Sequence, residues 1–352
     1  MHGSADDEQG PPEVTWSYET GDVDTGASCT FSDVHALEPT LTCTDDGSYI
    51  LTITADDGVN HPVSASTEAR IRNVPPTFRR NPPDFAPNAD KAAAATGLAP
   101  APWTLFRVGK QVTLSTPYDD PGSNDTQECV VTWDDGTPAQ TYAGHETTCD
   151  ATHTYTHAGM YSIKLSTTDD DGDADTWSTM IVVYDPNAGW NNSDGSMLSA
   201  PGAWAEQPSV NGEQWFHLAA KYYPQNDPTV PVGDAQTWLA NSSFRFTSAD
   251  NGVDWLVVTP DGKIASKGRG KLQGRSGDFG YVFYGYDGCD NGQSPGCRPG
   301  PDRFRVVVWP LSEGQYPTQN AVYDNRAGAD YDVDLADPAA LKSGIVTIHP
   351  PQ

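Results

Sequence analysis

The sequence has 352 residues, enough for two or three domains that each bury a core of their own. Its 48 acidic and 20 basic residues give a formal net charge of -28, which excludes nucleic acid held through phosphate contacts and disfavours anionic membrane surfaces. No stretch of eighteen apolar residues occurs, so no membrane insertion is expected of this segment.

Met1-His2-Gly3-Ser4 has no apolar signal core and reads as a cloning remnant ahead of a mature fragment. Residues 14–18 alternate apolar and polar side chains, the period of a half-buried strand. Residues 45–58 read as turn, strand, turn, with Tyr49, Leu51 and Ile53 on one face; a further strand, 65–71, ends at Asn73-Val74-Pro75-Pro76. Prolines and an alanine run then break the pattern over 79–102, the composition of a semi-extended connection or inserted loop. The second segment follows with a strand at 111–114, a turn at 119–125, and a strand at 129–133 that Asp134-Asp135-Gly136 turns back. His153-Thr154-Tyr155 leads into a strand over 159–167, and 176–183 closes the unit after Asp169-Asp170-Asp171-Gly172. From about residue 187, strong strands lie at 255–258, 280–284, 304–309 and 344–348, separated by Gly-rich turns such as 268–277. No segment sustains a helical period; 91–95 comes nearest, and Gly97 and Pro100 end it.

The acids are mostly Asp, 38 of the 48. Asp bonds to nearby backbone N–H groups and favours turns, whereas Glu favours helices, so the bias suits a turn-rich surface with some Asp clusters able to chelate. Six Cys fall in three local pairs: Cys29 with Cys43, Cys129 with Cys149, and Cys289 with Cys297. Six Cys allow about fifteen connectivities, and sequence alone does not choose among them. None has the Cys-x-x-Cys spacing of redox or zinc chemistry, so structural disulfides and an oxidising compartment are expected.

The first two segments repeat one order: Trp strand, Cys pair, Gly-x-Tyr strand, Asp-rich Gly turn, final strand. Gly47-Ser48-Tyr49 matches Gly159-Met160-Tyr161, and Asp56-Asp57-Gly58 matches Asp170-Asp171-Gly172. The second segment carries Trp133-Asp134-Asp135-Gly136, His153-Thr154-Tyr155, Ala158-Gly159-Met160-Tyr161 and Asp169 to Gly172 in order. On those residues it resembles the PKD (polycystic kidney disease) family, and Asp120-Pro121-Gly122 is similar to the bacterial form of the repeat. The first segment departs, with no Asp-Gly turn after Trp16 and no His-Thr-Tyr. The resemblance implies immunoglobulin-like β-sandwiches and, in some members, a structural Ca²⁺. Beyond them, the order Phe244-x-Phe246, Trp255-Leu256-Val257-Val258, a Gly-rich turn, Phe304 to Trp309 and Val322-Tyr323-Asp324-Asn325 resembles a β-rich module of large bacterial surface proteins. That second resemblance implies location and architecture, not an activity.

The fold class expected is all-β: tandem Ig-like sandwiches over 11–76 (divergent PKD-like) and 77–186 (PKD-like, with the Pro/Ala-rich entry), then a β-sandwich or jelly-roll-like domain over 187–352. Ca²⁺, which takes six to eight oxygens from loop carboxylates and carbonyls, is the cofactor expectation. Its candidate ligands are Asp119, Asp120, Asn124 and Asp125 in one loop and Asp169, Asp171, Asp173 and Asp175 in another; the EF-hand order is absent. Trp190, Trp204 and Trp238 sit among polar, Gly and Pro residues, and with Tyr222 and Tyr223 they are candidates for stacking on sugar rings. Trp255 and Trp309 stand in apolar strands and are expected in the core. A zinc trio of His145, His153 and His157 is weighed, with His153 already used by the PKD-like motif. No Gly-x-Ser-x-Gly elbow, His-Glu-x-x-His helix, phosphate loop or nucleophilic Cys is present, so no enzyme is expected. The reading is a non-catalytic cell-surface or secreted fragment for adhesion, spacing or ligand display, whose partner is an extracellular protein or glycan. The alternative is a polysaccharide-binding accessory module of a larger secreted enzyme.

Overall fold

A computed structural model describes residues 1–8, 10–79, 100, 102–143, 147–223, 229–291, 296–317 and 321–350. The helical run at 91–95 and most of the Pro/Ala-rich entry segment lie outside the described residues.

The first unit holds β1 (Glu13–Thr20), β2 (Cys29–Phe31), β3 (Leu41–Cys43), β4 (Gly47–Asp56) and β5 (Val63–Ile71). β4 pairs antiparallel with β1 on one side and β5 on the other, while β2 and β3 form a separate hairpin. Alternation puts Val14 and Trp16 of β1 and Tyr49 and Leu51 of β4 inward, as the period of two requires. Few large side chains are buried here, so the Cys29–Cys43 disulfide takes a real share of the stability. Closing a loop of 14 residues contributes about 3 kcal/mol in the chain-entropy picture.

The second unit is a two-sheet sandwich. Its strands are β6 (Thr77–Phe78), β7 (Leu105–Arg107), β8 (Gln111–Asp119), β9 (Gln127–Thr132), β10 (Gln140–Ala143), β11 (Thr148–Thr154), β12 (Gly159–Asp169) and β13 (Ala174–Tyr184). One sheet runs β10-β9-β12-β13-β7, with β7 parallel to β13, and the other runs β11-β8-β6. Val112 and Leu114 face Val131, Ile163, Leu165 and Ile181 across the core, and Cys129–Cys149 ties β9 to β11. The motif residues build one corner: Tyr155 Oη donates to the Trp133 carbonyl (2.8 Å), and the His153 ring stacks on Trp133 with centroids 4.9 Å apart. Asp134 reaches positive φ (62°) in the turn, and its carboxylate accepts the Ser162 N–H.

The third unit holds β14 (Trp190–Ser199), β15 (Gly212–Lys221), β16 (Val232–Leu239), β17 (Arg245–Val258), β18 (Lys263–Leu272), β19 (Phe279–Tyr286), β20 (Arg303–Pro310), β21 (Tyr323–Asp324), β22 (Ala339–Ile345) and β23 (Ile348–His349). The all-β expectation holds, and the strands run as a meander from β15 to β20, then through β22 to β14. Because β14 also pairs with β15, the hydrogen-bonded path closes on itself, which removes the open edges of the sheet. Phe216, Phe246, Phe283 and Phe304 fill the inside, and Trp255 and Trp309 are buried with them. Arg305 is fully buried, held by a two-pronged pair with Asp324 and by the carbonyls of Asp330 and Ala336.

The second and third units share a core. The last four residues of β13 are all buried: Ile181 and Val183 face the sandwich, and Val182 and Tyr184 face the third unit. Trp103 drives the join. Its ring meets those of Trp255, Tyr316 and Tyr331 at 5.8, 6.4 and 6.4 Å, and its backbone is held at φ 64°. A bulky residue stays in that costly region only where its surroundings over-determine it.

Candidate functional site: an acidic junction between the first two units

Three turns converge where the first unit meets the second. The turn after β3 supplies Asp45 and Asp46, the β8–β9 loop supplies Asp120 and Asp125, and the β12–β13 turn supplies Asp169, Asp170 and Asp171. Each turn is fixed by local bonding of the kind Asp favours. Asp120 accepts the Gly122 N–H (3.0 Å) and the Gln127 amide (3.1 Å). Asp169 accepts the Asp173 N–H (2.7 Å) and the Asn73 amide (2.9 Å), and Gly172 turns the chain at φ 95°. Asp45 is 5% exposed and accepts the Asp24 N–H at 2.8 Å. The units are also latched directly, since the Asn124 N–H donates to the Thr44 carbonyl at 2.9 Å.

Carboxylate oxygens of Asp45, Asp125 and Asp171 lie within 4.8 Å of one another, and so do those of Asp120, Asp125 and Asp169. Asp125 belongs to both sets. Both of its carboxylate oxygens are buried, and neither receives a hydrogen bond; Asp46 Oδ1 is in the same state. The carboxylate lies against Gly122, where any Cβ would collide with it. Burial, then the charges of Asp120 and Asp45, push the Asp125 carboxyl up to about 7. A hydrogen bond shared with Asp46, then burial, raises Asp171 to about 6, and burial raises Asp120. Among the described residues, no Lys or Arg pairs with these carboxylates. A negative cluster left this way lacks a positive charge.

The donor set tests which ion fits. It is all oxygen, with no His or Cys, which suits Ca²⁺ or Mg²⁺ and not zinc. Orphaned buried oxygens on Asp125 and Asp46 are what a cation would satisfy, so the residues fit a divalent ion.

Of the residues singled out from sequence, the structure brings Asp120, Asp125, Asp169 and Asp171 together. The other four expected ligands lie outside those two sets of three. Asp119 pairs with Arg79, Asp175 accepts the Phe78 N–H (3.0 Å), Asp173 accepts the Asn73 amide (3.3 Å), and Asn124 makes the Thr44 latch through its backbone N–H. Asp45 joins the cluster without being among the sequence candidates, because Asp45-Asp46-Gly47 reads in sequence only as a turn.

The aromatic candidates divide as well. Trp204 is 5% exposed, packed on Phe244, and Tyr222 is 3% exposed, with its hydroxyl donating to the Leu256 carbonyl. Both are core residues, contrary to the surface role expected. Trp190, Trp238 and Tyr223 are accessible, Tyr223 by 39%. Trp215, which is not among the sequence candidates, lies parallel to Trp238 with ring centroids 6.2 Å apart. The Cys form Cys29–Cys43, Cys129–Cys149 and Cys289–Cys297 disulfides. Of the histidine trio, His153 bonds Asp135 (2.7 Å) while stacked on Trp133, His157 bonds Thr156 (3.0 Å), and His145 lies outside the described residues. Among the described residues, no helix is long and apolar enough to cross a membrane.

A family model described as the PKD domain matches residues 99–183, a stretch that holds β7 to β12 and nearly all of β13. No curated protein matches the chain. Among solved structures it is similar to the protocadherin gamma B2 extracellular cadherin domains 1–5, at 11% identity over 76% of this chain and 54% of that one, with a TM-score of 0.19. It is also similar to the protocadherin gamma B4 extracellular domain, at 15% identity over 86% of this chain and 59% of that one, with a TM-score of 0.23. The chain thus spans little more than half of each, and scores this low do not equate their arrangements.

Proposed function

We propose, from the PKD domain at 99–183 and the closed β architecture around it, that this is a non-catalytic extracellular or cell-surface segment working in adhesion, spacing or ligand display. It divides into modules at 11–76, 77–186 and 187–352. Three disulfides suit an oxidising compartment, and the partner class is an extracellular protein or glycan.

The observation that carries the reading is the Asp125 carboxylate, whose two oxygens are buried without a hydrogen-bond donor where two modules meet. Ca²⁺ is the cofactor of this junction, with Asp45, Asp120, Asp125, Asp169 and Asp171 as the side chains that hold it. The ion supplies positive charge and a cross-link, and no reaction. Asp45 belongs to the first module and the other four to the second, so holding one ion restrains both. The second joint needs no ion, because Trp103 welds it by apolar packing. A segment stiff at both joints keeps a displayed surface at a fixed reach.

Isothermal titration of the metal-free chain with Ca²⁺ tests the site. Saturable binding that Asp125→Asn abolishes supports it. A flat titration at millimolar Ca²⁺, or binding unchanged in Asp125→Asn, overturns it.

A further inference from the structure

We propose that the outer face of β14, β15 and β16 is a binding strip for an extended, uncharged or amino-bearing oligosaccharide, independent of the cation junction. Alternation along these strands turns Trp215, His217, Ala219 and Lys221 of β15 outward while Phe216, Leu218 and Ala220 face the core. On β16 the outward residues Trp238, Gln236 and Asp234 stand opposite Trp215, His217 and Ala219. On β14, Asp194 stands opposite His217.

The strip has aromatic ends and a polar middle. At one end the Trp215 and Trp238 rings lie within 8° of parallel, and the Arg245 guanidinium sits 5.3 Å from the Trp238 centroid. At the other, Lys221 Nζ lies 5.2 Å from both the Trp190 and Tyr223 rings, and Trp190 stacks on His349 at 3.8 Å. The six-residue step from Trp215 to Lys221 spans about 20 Å at the rise of a strand, several pyranose rings long. Between the ends, His217 bridges Asp194 (2.6 Å, Nδ1 to Oδ1) and Asp234 (3.3 Å, Nε2 to Oδ2). The two carboxylates are 66% and 51% exposed, so the bridge orients them without burying them. Ala219, opposite Asp234, keeps the floor beside them low.

This combination matches the two-sided chemistry of a sugar chain. Apolar C–H faces pack on indole and phenol rings, while hydroxyls donate to carboxylates and pair with side-chain amides such as Gln236. A net charge of -28, with Asp194 and Asp234 at the centre, opposes sulfated or uronate-rich chains and selects neutral or amino sugars. Two half-buried tryptophans on the outside of a sheet whose core is already filled by Phe216, Phe246, Phe283 and Phe304 are not needed for packing inside it.

The test uses the full chain against tetra- to hexasaccharides of neutral β-glucan, mannan, chitin and chitosan, beside a sulfated glycosaminoglycan, with affinity read by calorimetry. Saturable binding to a neutral or amino-sugar chain is expected. Trp215→Ala and Trp238→Ala are each expected to lose about tenfold in affinity, and the double variant to lose binding. Gln236→Ala, a polar change at a half-buried outward position that leaves the indoles in place, is expected to weaken binding too, which covers a tryptophan variant that misfolds. Chelator is expected to leave the affinity unchanged. A flat panel, preference for the sulfated chain, or full affinity in both Gln236→Ala and a folded Trp215→Ala/Trp238→Ala variant overturns the proposal.

Discussion

Removing one charge from the acidic junction should stabilise the metal-free protein at neutral pH and abolish its response to calcium. Asp125 ionises near 3.8 when unfolded but at about 7 in the folded chain, raised chiefly by burial. The folded state therefore holds this proton more tightly than the unfolded state. Its contribution does no harm below about pH 4; it erodes stability as pH climbs from about 4 to about 7, and the penalty is complete above that. Ionising the carboxylate across that whole interval costs about 4 kcal/mol at most, and solvent reaching the cluster reduces this to about 1–2 kcal/mol. Asp125→Asn should thus be more stable than the parent by about 1–2 kcal/mol at pH 8 without metal, and equal to it near pH 4. Calcium at about 100 times its Kd should add about 2.7 kcal/mol to the parent, or a rise in Tm of about 5–10 °C, and nothing to the variant. Because the proton on Asp125 competes with the ion, the apparent calcium affinity should weaken as pH falls below 7. Differential scanning calorimetry of both proteins from pH 4 to pH 8, with calcium and with chelator, reads every one of these. An Asp125→Asn protein less stable than the parent at pH 8 without metal, or equal calcium shifts in the two, would refute the reasoning.

Three further outcomes follow from the packing. Trp103→Ala should cost the fused second and third modules about 3–5 kcal/mol while leaving calcium binding intact; denaturant unfolding followed beside calcium titration checks both. Replacing Cys29 and Cys43 by Ser should lower the stability of the first module by about 3 kcal/mol, read as early proteolysis confined to residues before 77. Arg305→Met should destabilise the third module by about 3–5 kcal/mol, because it strands the buried Asp324 carboxylate, and pairing it with Asp324→Leu should restore much of the loss in a thermal melt.

Much of the fold was legible because its signals are local. A period of two in β4, β8 and β12 states which side chains face inward, and the Trp133, His153 and Tyr155 motifs meet at one corner set by a single turn. The acidic junction was half legible. Asp120, Asp125, Asp169 and Asp171 lie in turns of one sandwich, but Asp45 joins them only through the docking of another module, which no spacing encodes. Trp204 misleads because Pro201, Gly202 and Ala203 resemble a surface loop, although that loop folds back so the indole covers Phe244. Tyr222 and Tyr223 are adjacent at the end of β15, so one must point in when the other points out, and Tyr222 is the inward one. The same alternation applied to Phe216 turns Trp215 outward, a signal present in the sequence once the strand register is known.

Stiffening of the first joint by calcium is best tested by small-angle X-ray scattering from the full chain. The account predicts a broad, flexible profile in chelator that sharpens on adding calcium, with Asp125→Asn unresponsive. Identical profiles with and without the ion, or a variant that tightens as the parent does, would contradict it.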